Sequence, residues 1–189
     1  METKKADFNN LNRKLITEIV DIIKNGGVIA MPTDTVYGLV CDATNKEAVR
    51  KIFEIKKREE SKPISIFINS IKMARKYVKI EKAQEECLKT GDTCIFSSKE
   101  RMSLNRTLGI RLPKSELIMQ IIKKLKVPLA QTSANISGQL PINNIREINL
   151  LFKKQETQPD LIIDAGNLLE HKASKVIDLT SDEPKIIRE

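Results

Sequence analysis

The 189 residues contain no tryptophan, two tyrosines and one histidine. With 4 % aromatics there are few rings on which successive bases could stack, so reading of single-stranded nucleic acid by stacking is disfavoured. The lone His171, in LLEHKASK, has no cysteine beside it. Zinc ligation at the usual spacings and a histidine-centred triad therefore both lack a signature, and a surface histidine is expected. Cys41, Cys87 and Cys94 are odd in number and show no CxxC spacing, which reads as free thiols rather than a disulfide framework. No apolar run approaches the ~20 residues a membrane helix needs. The N-terminal METKKADFNNLNRK resembles neither a signal peptide nor a transit peptide, so a cytoplasmic chain without membrane contact is expected.

Charge, by contrast, is plentiful. Lysine and arginine number 33 against 25 acids, a formal +8, with 40 % apolar residues. That balance describes a globular chain suited to an anionic partner, either a polyanion or a small phosphate compound. The length fits one domain over residues 1–189 with a substantial core.

Hydrophobic periodicity then sorts the chain into alternating helices and strands. Leu11, Leu15, Ile19, Ile22 and Ile23 recur at helical spacing, and NGG at 25–27 supplies a left-handed stop. VIAM reads as a short buried strand, and TDTVYGL as a tight loop entering a second extended segment. Thr44 and Glu47 form a capping-box pattern opening a helix through Phe53. ISIFI is a strand, Ser70 caps a helix, and residues 71–90 are helical in pattern until Gly91. TCIF and LGIRL are strands, and Ser115 opens a helix through Leu125. VPLAQ is a strand running into TSANISG, a short helix lies near 144–152, and DLIID, KVIDL and KIIR close the chain as strands. The predicted class is α/β, a single-domain twisted sheet of mixed direction with flanking helices.

Four stretches carry groups suited to ligand chemistry. TSANISG, residues 132–138, follows a strand with hydroxyls, an amide and a glycine, able to offer Ser133 and backbone N–H groups to phosphate oxygens or simply to make a polar turn. MPTDTVYG, residues 31–38, gathers Thr33, Asp34, Thr35 and Tyr37 at a strand end, where the ligand loops of α/β proteins collect. In EIKKREESKP, Lys56 and Arg58 would lie on different sides of a continuing helix; both reach one ligand only if the helix ends there. Arg111 sits inside the apolar strand GIRLP, so its guanidinium must meet a carboxylate of the protein or of a ligand.

In their order PTDTVYGL, Lys-x-Arg before KPISIFI, GIRLP, PLAQTSANISG, DLIIDAG, SKVIDL and IIR, these motifs resemble the YrdC family, the L-threonylcarbamoyladenylate synthases of tRNA modification. The resemblance spans roughly residues 15–188 and implies a twisted sheet around a large basic cavity, in a short form. It implies synthesis of threonylcarbamoyl-AMP and pyrophosphate from L-threonine, bicarbonate and ATP with Mg2+. Partner proteins would then transfer the threonylcarbamoyl group to the adenosine next to the anticodon of tRNA. Lys56 and Arg58 would position phosphate, with no dedicated base identified. Arg58, Lys62, Thr107, Gln131, Ser133, Asn135 and Arg188 would face ATP. Thr35, Arg111 and Ser174 would face threonine; the metal ligands are not identified. KTGD replaces a Pro-Gly-Pro turn of many relatives, Phe67 a histidine of some, and Lys175 the threonine after Ser174. The alternative from the same features is an RNA- or tRNA-binding relative that has lost turnover.

Overall fold

A computed structural model describes residues 2–6, 12–99, 106–168, 174–181 and 183–189; Leu11 and His171 lie outside them. Ten strands form one sheet in the order β1-β8-β2-β3-β7-β4-β6-β5-β9-β10. The strands are β1 Glu2–Lys5, β2 Ile29–Pro32, β3 Tyr37–Asp42, β4 Ser65–Phe67, β5 Thr93–Ser97, β6 Thr107–Arg111, β7 Leu129–Ser133, β8 Leu161–Asp164, β9 Val176–Asp178 and β10 Lys185–Arg188. The helices are α1 Arg13–Lys24, α2 Lys46–Lys56, α3 Ile71–Ala74, α4 Glu85–Lys89, α5 Glu116–Leu125 and α6 Ile145–Lys153. Pairing is mixed, as expected: β4 runs parallel to β6 and antiparallel to β7. No helix among the described residues is long and apolar enough to cross a membrane.

Two apolar layers hold the sheet. Ile16, Ile19 and Ile23 of α1 and Leu117, Ile118, Ile121 and Ile122 of α5 pack with Ile29, Met31 and Val40. Alternate residues on the same strands, Ala30, Leu39 and Cys41, meet Ile52 and Ile55 of α2 and Ile148 and Phe152 of α6. Strands covered on both faces read as continuous apolar runs, which is why VIAM and GLVC lack alternation. The β4-β6-β5 side differs. Ile66, Leu108 and Ile110, with Cys94 and Phe96, share one face of these strands and are buried, and the intervening Ser65, Phe67, Thr107, Gly109 and Arg111 share the other.

Several local readings need correction. Asn45, not Thr44, caps α2, its side chain accepting from Ala48 N, while the Thr44 hydroxyl donates to Asp42 Oδ1. Both residues suit the position, and Asp42 captures one of them. Residues 71–90 do not form one helix: α3 ends at Ala74, and a short 3-10 turn at Lys82–Gln84 leads into α4. Tyr77 O and Val78 there bond or bridge to Lys99 and Ser98, so sheet-edge contacts replace helical turns. Strand β1 escaped the sequence reading. Its polar ETKK pairs in parallel with β8 from the sheet's outer edge, where one apolar face is not required.

Candidate ligand site on the open sheet face

Register fixes which side chains share the open face. Arg111 pairs with Phe67 and Thr93, and Gly109 with Ser65 and Ile95. Ser65 pairs in turn with Gln131, and Thr107 with Ser97. Directly paired residues point the same way, and alternate residues along a strand share a face. Thr107, Gly109, Arg111, Ser65, Gln131 and Ser133 therefore belong to one surface. Gly109 keeps it low: a Cβ there would sit 2.7 Å from Ser65 Oγ.

One end of this surface is organised by Lys56. Helix α2 stops because Lys57 adopts the left-handed conformation, φ 50°, with its N–H on Glu54 O and that of Arg58 on Phe53 O. The expected helix end is thus real, and it sends Lys56 and Arg58 in directions no continuous helix allows. Lys56 is 2 % exposed. Its ammonium donates to Ser133 O at 2.6 Å, Asn135 O at 2.8 Å and Asn135 Oδ1 at 2.8 Å. All three donors are spent on neutral acceptors of one loop. Expected as a phosphate-positioning cation, Lys56 in this structure builds the loop. Ser133 Oγ donates to Asn135 Oδ1 at 2.6 Å, and Asn135 Nδ2 donates to Gln139 O, so the loop polar groups lock one another. Burial, with the neighbouring Arg58 charge, pulls the Lys56 pKa down to about 8.

Arg58 differs from Lys56 in having donors to spare. One Nη2 proton goes to Pro63 O at 2.9 Å, and Nε is buried without a partner. Desolvation lowers its pKa. A half-buried guanidinium bonded to a single carbonyl is an anion receptor in waiting. Lys62 is exposed; its backbone N–H closes a turn on Glu59 O, and no described contact ties its side chain to the cluster.

The other end centres on Arg111, 4 % exposed. Nη2 meets Asp34 Oδ2 at 3.0 Å, Nε donates to Gly91 O at 2.8 Å, and Nη1 donates to Thr35 Oγ1 at 3.3 Å. The guanidinium stands over the Phe67 ring, 5.8 Å from its centroid. The carboxylate demanded by a buried arginine is therefore Asp34, and two of five guanidinium N–H donors find no partner among the described residues. Desolvation lowers the Arg111 pKa, Asp34 opposes that shift, and Arg188 adds to it. Thr93, paired with Arg111, shares a 3.0 Å hydroxyl contact with Ser174, whose carbonyl accepts Nε and Nη2 of Arg188 at 3.1 and 2.6 Å. Thr35, Arg111, Ser174 and Arg188, scattered over the sequence, thus form one chain of contacts.

Three participants were missed from sequence: Asp34 as the partner of Arg111, Thr93 as the bridge to Ser174, and the Gly91 carbonyl. Asp34 was visible inside TDT, but nothing in the chain order linked it to position 111. Its Oδ2 also accepts Lys114 N at 3.0 Å, and its Oδ1 is buried without a partner.

A mixed α/β sheet, one face of which carries an arginine cradle at one end and a hydroxyl-amide loop at the other, defines an α/β protein with two clustered sets of polar donors. The chain belongs to the Sua5, YciO and YrdC family, described as telomere recombination, which it matches over residues 21–189. A relative from Methanocaldococcus jannaschii is 32 % identical over 194 residues, covering 98 % of this chain and 91 % of its own. The human threonylcarbamoyl-AMP synthase is 28 % identical, covering 94 % of this chain and 66 % of its own. The crystal structure of P. abyssi Sua5 complexed with L-threonine superposes with TM-score 0.84 at 27 % identity over 99 % of this chain. This chain spans just over half, 56 %, of that Sua5 chain.

Proposed function

We propose that the chain makes threonylcarbamoyl-AMP and pyrophosphate from L-threonine, bicarbonate and ATP. The observation that carries this reading is the sharing of one sheet face by the Arg111 cradle and the Ser133–Asn135 loop. The names of the human relative and of the threonine-bound Sua5 support it. In this reading the threonine carboxylate takes the two remaining donors of Arg111, with Thr35 and Ser174 beside it. Nucleotide phosphate takes the guanidinium N–H groups of Arg58 that Pro63 O leaves over, and Thr107, Gln131, Ser133, Asn135 and Arg188 line the path between. Lys62, at the rim, reaches phosphate from solvent. Magnesium accompanies the triphosphate, whose oxygens are its usual ligands together with water.

The reaction needs little covalent help from the protein. Threonine nitrogen and bicarbonate form a carbamate, whose oxygen attacks the α-phosphorus as pyrophosphate departs. Fixing two anions in line and compensating their charge supplies most of what the step requires. Lys56 acts by holding the loop. The product would pass to proteins that transfer the group to tRNA, in the cytoplasm, and the +8 surface offers direct tRNA contact.

Threonine-dependent release of pyrophosphate from ATP, bicarbonate and Mg2+ tests the reading. Arg58→Ala should raise KM for ATP and Arg111→Ala that for threonine, each about 10- to 150-fold for a lost charge-assisted bond. Folded protein that binds ATP without threonine-dependent release would identify the chain as a relative without turnover.

A further inference from the structure

The thiols of Cys87 on α4 and Cys94 on β5 face each other, with sulfurs 2.8 Å apart. Ordinary non-bonded heavy atoms stand roughly 3.5–4.0 Å apart, so nothing intervenes. Between the two lies the KTGD turn. Gly91 has φ +88°, Thr90 Oγ1 contacts Cys87 O and Asp92 Oδ2 at 2.8 Å each, and Asp92 N donates back to Thr90 Oγ1 at 3.2 Å. The same turn presents the Gly91 carbonyl that holds Arg111 Nε. Cys87 is partly exposed, Cys94 is buried, and Cys41 is buried far along the chain, its thiol on the Asp42 carbonyl. The sulfurs are thus arranged as an accessible attacking thiol with a resolving thiol behind it.

We propose that Cys87 and Cys94 form a reversible dithiol-disulfide couple that staples the turn beneath Arg111. The oxidant is a small-molecule disulfide. Cys87 sulfur attacks one of its sulfurs, the S–S bond breaks, and one small thiol leaves with the Cys87 proton. Cys94 sulfur then attacks Cys87 Sγ, and the second small thiol leaves with the Cys94 proton. Two protein thiols are oxidised and one disulfide is reduced to two thiols; excess dithiol reverses both exchanges. Burial raises the Cys94 pKa, which favours Cys87 as the thiol that attacks first. In reducing compartments such a bond is transient. The formation of the couple is independent of the proposed activity; its effect at Arg111 rests on that reading.

The test treats the full chain with glutathione disulfide, alkylates remaining thiols and digests with trypsin without reduction. Peptides 83–89 and 90–99 should run as one linked species, with Cys41 the alkylated thiol. Cys94→Ser should retain glutathione on Cys87, and Cys87→Ser should take up none. Wild-type protein that keeps three alkylatable thiols, or a lasting glutathione adduct on Cys87, overturns the couple. The urea midpoint should rise on oxidation and return with dithiothreitol; linked peptides with an unmoved midpoint would overturn the stapling. L-threonine binding absent from both redox forms, with the peptides linked, counts against the threonine site and leaves the couple supported.

Discussion

Lys56 carries its charge almost entirely out of water, against three uncharged oxygens and next to Arg58. Its pKa falls from 10.5 to about 8, so between those values the unfolded chain binds the proton that the folded chain has released. This group's contribution to stability is therefore complete above about pH 10.5 and is lost as pH falls towards 8, at about 1.4 kcal/mol per unit of displacement. The loop behaves in the opposite sense. A neutral amine has two N–H donors for three acceptors, so ligand binding at Ser133–Asn135 should weaken as pH rises through 8. Parallel urea titrations and ATP-binding measurements over pH 7–10, on wild type and Lys56→Met, would reveal this crossing; identical pH profiles in the two proteins would refute it. Asp34 poses the complementary case. Asp34→Ala leaves the Arg111 charge buried with two neutral acceptors, and the loss should lie near the low end of about 3–5 kcal/mol. Asp34→Asn, which keeps an oxygen for Lys114 N, should lose less. An Asp34→Ala midpoint equal to wild type would show that the ion pair does not matter. Sequence alone made Arg111 conspicuous, because arginine in an apolar strand demands a partner. It left the partner open, since Asp34 and Arg111 meet only through the tertiary fold. It likewise marked Lys56 as a cation without revealing that Ser133 and Asn135 would consume every donor.

At the level of elements, the floor of the site depends on one missing side chain. Gly109 lies between Ser65 and Ile95 in the pairing, and an added Cβ would meet Ser65 Oγ at 2.7 Å, Ser65 Cβ at 3.3 Å and Thr93 Cγ2 at 3.5 Å. Gly109→Ala should cost about 1–3 kcal/mol through overpacking between neighbouring strands. Ser65→Gly should return most of it in the double variant. Denaturant midpoints for the four proteins of this cycle measure the coupling; strictly additive losses would place the strain elsewhere. The elements flanking this floor were readable because packing and pattern agree. The apolar stripes of α1 and α5 and the caps Ser70 and Ser115 stand where periodicity and capping chemistry put them. Residues 71–90 were misread because their charges suit a helix. The backbone around Tyr77 and Val78 instead finds partners at the sheet edge, a competition that local propensity does not register. Strand β1 was overlooked for a related reason: at an edge, pairing through the backbone suffices and ETKK needs no apolar face.

The whole molecule has a charge of +8, yet among the described residues burial of cations is concentrated at two places, Lys56 with Arg58 and Arg111. Elsewhere many positive groups are exposed, some in surface pairs such as Arg50 with Glu47 and Glu54, or Lys89 with Glu86. Exposed pairs of this kind contribute about 0–1 kcal/mol and are screened by salt. Two kinds of anion binding should therefore separate by ionic strength. A polyanion spread over the exposed cations releases counterions at each contact, and six or more phosphate contacts cost about 10^3-fold or more in affinity between 50 and 200 mM salt. A nucleotide seated on Arg58 and the Ser133–Asn135 loop neutralises one or two cations, so the same change should cost about tenfold or less. Calorimetric titration of ATP and filter binding of tRNA across that range would measure both slopes. A shallow ATP slope beside a steep tRNA slope is the result expected of a small-ligand site on a generally basic surface. If ATP binding collapsed as steeply as tRNA binding, the nucleotide would be held by the diffuse surface charge, and the open sheet face would lose its claim to be the site.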